Sequence, residues 1–145
     1  MSYETCNALY PTRAAAIAGL VSAWVDVPTL ARCTDAPVDL VAEMRADGWF
    51  ADFEARYGDV GDLDIAEAVT DLRTEARMDN PELWSIRAEC DDEAPYTDTA
   101  AEWLEANEGD GDVEAAIKAL AGGAQAVTLG GGAAPAVRLT VEVAR

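Results

Sequence analysis

At 145 residues, half of them apolar and only six of them proline, the chain suits one domain with a real core and is too apolar to stay disordered. Its 28 acidic side chains face 10 basic ones, a formal net charge of −18, which argues against direct binding of nucleic acid. It has no histidine, which removes Ser-His-Asp and Cys-His nucleophile systems, histidine general bases and zinc sites that mix His with Cys.

Residues 2–10 read as a short strand or coil. Thr12 then serves as the N-cap of a helix that places Ile17, Leu20, Val21 and Trp24 on one face. The apolar stretch 14–25 is interrupted by Gly19 and Ser22 and is shorter than the roughly 18–20 residues of a membrane span. It also lacks the basic start and cleavage pattern of a secretory signal, so a cytoplasmic protein is expected. Ala15, Gly19 and Ala23 recur every fourth residue and would admit another backbone closely. Pro28 ends or interrupts the segment. A second helix starts near Pro37, turns Leu40, Val41 and Met44 inward and stops at Gly48 in the C′ position. Trp49, Phe50, Phe53 and Tyr57 follow as the core stripe of a short helix. A base-stacking platform there is disfavoured, because Asp47, Asp52 and Glu54 would repel a phosphate backbone.

Asp62 to Met78 is the clearest amphipathic helix, with Ile65, Val69, Leu72 and Ala76 as the buried stripe and Asp64, Glu67, Asp71 and Glu75 as a neighbouring acidic one. Asn80-Pro81-Glu82 has the composition of a helix start, with Leu83, Trp84 and Ile86 as its apolar contacts. Residues 91–95 read as a loop. Thr99 and Glu102 make a capping box for a short helix, and Asp112 caps another that runs through Ile117 and Leu120 to Gly122. Val137, Leu139, Val141 and Val143 alternate with polar residues, as in a half-buried strand, and residues 126–129 supply its hairpin partner. The expected fold is α+β: a mostly helical single domain of about five or six short helices, an acidic helical block over 59–115 and a C-terminal β-hairpin over 124–144.

Cys6, Cys33 and Cys90 are odd in number and scattered, which fits reduced, buried thiols rather than a disulfide framework. Gly130-Gly131-Gly132 precedes Pro135 and a strand, not a helix N-terminus, so it reads as a hairpin connection and not as a phosphate loop. The acidic runs 62–67 and 110–114 lack the ligand spacing of a calcium loop, and no basic residue near Glu89, Asp91, Asp92 and Glu93 is placed to bind a phosphate. No catalytic residue, cofactor or metal is assigned.

The distribution of charge is the strongest signal. Residues 1–58 carry 8 acids and 4 bases, and residues 116–145 carry 1 acid and 3 bases. The stretch 59–115 holds 19 acids against Arg73, Arg77 and Arg87 alone. Along the helix 62–78 the acids lie roughly 4.5–6 Å apart in axial rise, against a phosphate about every 3.4 Å on one DNA strand. A second acidic element, Glu102, Glu105 and Glu108 with Asp110 and Asp112, would bring the combined density near that of a duplex if it lay beside the first. In composition the chain resembles two kinds of small inhibitor: the DNA mimics that phages and plasmids use against restriction or CRISPR complexes, and the acidic immunity proteins of nuclease toxins. That resemblance implies a non-enzymatic inhibitor of a basic nucleic-acid-binding protein, with no membrane partner. Asp64, Glu67, Asp71, Glu75, Glu102, Glu105, Glu108, Asp110 and Asp112 would be its contacts. Two alternatives stand beside it. One is an assembly subunit or homodimer working through a hairpin edge at residues 136–143. The other is a carboxylate-based metal binder or enzyme.

Overall fold

The computed structural model describes residues 2–5, 8–91, 93–131 and 134–142. Cys6, Asp92, Gly132 and Val143, read from sequence as a thiol, a loop acid, a hairpin connection and a strand position, lie outside them. In chain order the elements are β1 (Tyr3–Glu4), β2 (Leu9–Tyr10), α1 (Arg13–Trp24), α2 (Val27–Arg32), α3 (Pro37–Ala46), α4 (Ala51–Tyr57), α5 (Asp62–Asp79), a 3-10 turn (Pro81–Leu83), β3 (Ser85–Cys90), β4 (Glu93–Thr99), α6 (Ala100–Ala106), α7 (Gly111–Ala121), β5 (Val127–Gly131) and β6 (Ala134–Glu142). The fold is mixed α+β, with the expected C-terminal hairpin formed by β5 and β6. The chain makes two compact units, residues 1–27 with 35–72 and residues 28–34 with 73–145.

In the first unit, Thr12 caps α1 by accepting from the Ala15 N–H at 3.1 Å. α1 ends at Trp24, before Pro28, and the proline sits instead in the first turn of α2, where its missing N–H breaks no helix bond. α3 stops as expected: Gly48 follows the cap with φ of 69°, the left-handed position that glycine takes without a side-chain penalty. The core consists of Ala16, Ile17, Leu20 and Val21 from α1, Leu40, Val41 and Met44 from α3, then Phe50, Phe53, Val60, Ile65 and Val69. The aromatic run belongs to it. Phe50 and Phe53 are buried, Trp49 donates to the Leu20 carbonyl at 2.7 Å, and Tyr57 packs on Phe53 and Tyr3 while its hydroxyl accepts from the Glu4 N–H. What comes close to Gly19 is a side chain rather than a backbone: a Cβ there would overlap the Oη and Cζ of Tyr10.

In the second unit a four-stranded antiparallel sheet runs β4-β3-β6-β5. Ile86 of β3 pairs with Val141 of β6 on one side and Asp98 of β4 on the other. Trp84, Ile86, Ala88 and Leu139 from this sheet region, Ala100 and Trp103 from α6, and Val113, Ala116, Ile117, Leu120 and Ala121 from α7 make one buried cluster. Several sequence expectations change here. Trp84 and Ile86 do not lie on a helix: burial alternates along residues 84–89, the period of a strand, and only Pro81–Leu83 coils. Residues 93–95 are the start of β4, held by pairing with β3, so the acidic block is only partly helical. β6 is interior to the sheet, so the edge expected at 136–143 is not there; the edges are β4 and β5. Asp110, not Asp112, caps α7, accepting from the Asp112 and Val113 N–H groups, while the Thr99–Glu102 capping box forms as expected. Cys33 and Cys90 are free but half-buried rather than enclosed.

Candidate acidic interface

α5 begins with Asp62 and Asp64 in its first turn, where carboxylates stabilise the positive end of the helix dipole. At about 100° per residue, Asp64, Glu67, Asp71 and Glu75 fall within an arc of about 80° and span about 16 Å of axis. All four side chains are exposed. Among the described residues no basic group lies within ion-pair distance of any of them.

The reason lies on the other side of the same helix. Its buried positions are Ile65, Val69, Arg73, Ala76 and Arg77; Leu72, expected there, is only half-buried. Arg77 is 1% exposed and donates to three carbonyls: Ala31 (2.9 Å), Cys33 (2.6 Å) and Leu120 (3.2 Å). Its guanidinium lies 5.4 Å from the centre of the Trp84 ring, whose Nε1 donates to the Arg77 carbonyl. Burial, aided by the nearby Arg73 charge and opposed by Cys33, pushes the Arg77 pKa down to about 10, so the group keeps its charge at neutral pH. Arg73 is 4% exposed and donates to the Cys33 carbonyl. The third arginine of the acidic stretch, Arg87, pairs with Glu89 at 2.9 Å. None of the three reaches the acidic stripe, so its surface charge is undiluted. The i, i+4 row was the available signal: residues 73 and 77 continue the spacing of the buried Ile65 and Val69 along the helix.

The remaining candidates lie on α6, the turn after it and the start of α7. Glu102, Glu105, Glu108, Asp110 and Asp112 are all exposed. Two of these carboxylates have local work. Glu102 accepts from the Thr99 N–H and hydroxyl, and Asp110 caps α7. Glu105, Glu108 and Asp112 have no ion-pair partner among the described residues. The nine candidates therefore form two sets. Asp64, Glu67 and Asp71 belong to the first unit, and Glu75 with the five others belongs to the second.

The bases of the first unit are committed elsewhere. Arg45 binds Glu54 at 2.6 Å and Asp62 at 3.0 Å; burial alone would lower its pKa, but those two carboxylates outweigh it and raise it. Arg13 donates to the carbonyls of Tyr57, Gly58 and Asp59. Among the described residues no three Cys, Asp or Glu side chains are grouped to hold a metal ion. No helix among them is long and apolar enough to cross a membrane.

No family model, curated protein or solved structure matches this chain.

Proposed function

We propose that this protein is a non-enzymatic inhibitor that occupies the basic nucleic-acid-binding site of a protein partner, its carboxylates standing where phosphates would lie. A nuclease or a defence complex of the restriction or CRISPR kind has the required chemistry, and such a partner would place the encounter in the cytoplasm. The observation that carries the reading is the α5 stripe, four exposed carboxylates along one helix with no basic group of the described residues within ion-pair distance. An acidic field of this kind speeds encounter with a basic cleft and repels nucleic acid itself, and both effects weaken as salt rises.

The test is affinity capture from the native host lysate at low and high salt, with the parent and with the triple variant Glu67→Lys, Asp71→Lys, Glu75→Lys. The parent should retain a nucleic-acid-binding protein at low salt, and a short DNA duplex should release it. The triple variant should lose that protein while keeping its circular dichroism spectrum. Equal retention by parent and folded variant would remove α5 as the contact, and a captured protein indifferent to duplex DNA would remove the mimicry.

A further inference from the structure

The two edges of the second unit's sheet are protected very differently. β4 carries Pro95, which has no N–H to offer a new strand, together with Glu93 and Asp98, and its ladder with β3 is interrupted by a bulge between Ala88 and Cys90. Prolines, charges and irregularities of this kind are how sheet edges are kept from pairing with other chains. β5, Val127–Gly131, has neither a proline nor a charged residue. Beside it a groove of about 410 Å³ is lined by Val127–Gly130 of the strand and by Asp112, Ala115, Ala116 and Ala119 of α7.

We propose that the outer edge of β5 docks a second copy of this chain, β5 pairing antiparallel with its twin about a twofold axis so that the four strands of each copy form one continuous sheet. Three observations select this occupant. An antiparallel pair of identical strands is self-complementary, which a twofold contact requires. An uncharged strand offers nothing to a strongly charged partner. β5 and β6 carry only Arg138 and Glu142 as charged residues, so two copies of a chain of −18 meet there along near-neutral strands. The blocked β4 edge also decides the outcome of pairing. A β4-to-β5 contact would repeat without end, whereas β5-to-β5 closes after two copies.

The salt dependence has a sign of its own. Two copies of like charge repel, so association should tighten, by about tenfold, between low salt and salt high enough to shorten the Debye length to about 3 Å. The proposed inhibitor complex would respond in the opposite direction, and either reading can fail without the other.

Sedimentation equilibrium over a concentration series should show the mass rising from 15.3 kDa toward twice that value, more readily at high salt. Thr128→Asp, at an exposed position of β5, should restore the monomer, while Thr97→Asp, at an exposed position of β4, should not. Hydrogen exchange on the unaltered protein keeps the test decisive even if Thr128→Asp disturbs the fold: β5 amides should gain protection with concentration and β4 amides should not. A monomer at every concentration and salt, or a dimer whose β5 amides do not change, overturns the proposal.

Discussion

Arg77 holds three carbonyl oxygens on one guanidinium: Ala31 and Cys33 where α2 ends, and Leu120 where α7 ends. Helix C-termini carry unsatisfied carbonyls and partial negative charge, so one buried cation serves two helix ends at once. A lysine has the charge but not the planar fork, and a methionine has neither. Arg77→Met should therefore cost about 2–3 kcal/mol in urea unfolding, because it removes a charged donor from three carbonyls and leaves that of Ala31 unpaired, while Cys33 keeps Arg73 and Leu120 keeps the Gly123 N–H. Arg77→Lys should recover only part of that loss. The i, i+4 row that starts at Ile65 and Val69 pointed to the position of this residue. Its role was not legible, because the three acceptors come from segments more than forty residues away, and charge in a sequence reads as surface.

The elements divide the acidic residues into those that shape the fold and those that only face outward. Asp110 satisfies two N–H groups at the start of α7, and Glu102 closes the capping box of α6. Asp110→Ala and Glu102→Ala should each lower stability by about 1 kcal/mol. Alanine at Glu67, Asp71, Glu105 or Glu108 should stay within about 0.5 kcal/mol of the parent, as expected of exposed positions. Thermal unfolding of the six variants separates the groups. Where local chemistry decides, the sequence was readable: Thr12, the Thr99–Glu102 box, Gly48, α5 and the terminal hairpin all follow from caps and periodicity. β3 and β4 were not. Asn80-Pro81-Glu82 mimics a helix start, and Pro95 among acids mimics a loop; only pairing with β3, itself held by β6, makes residues 93–99 a strand. The acidic stripe was legible for the same reason as α5, whereas its lack of an ion-pair partner among the described residues depends on where Arg73, Arg77 and Arg87 go.

For the whole molecule, net charge of −18 with 19 acids in residues 59–115 implies self-repulsion in the folded state. The melting temperature should rise with sodium chloride, and more steeply with magnesium at equal ionic strength, since a divalent ion neutralises neighbouring carboxylates. Differential scanning calorimetry over a salt series checks this; a flat response would mean that the charges are spread too far apart to matter. The rise should be gradual and without stoichiometry, consistent with the lack of a metal-ligand group among the described residues.

The place of β6 in the sheet has a consequence for how the protein is made. Residues 134–142 lie between β3 and β5, and Leu139 fills the same buried cluster as Ile86 and Ile117. While a ribosome is still synthesising the chain, β3 has only β4 to pair with, and the inner face of α7 lacks part of its cover. A two-stranded ribbon of that size is marginal in water. The second unit therefore completes its core only once β6 is available, whereas residues 1–72 already contain every segment of the first unit. The first unit can form before β6 is made, whereas the second, with Glu75 and the α6–α7 acids, must wait for that strand.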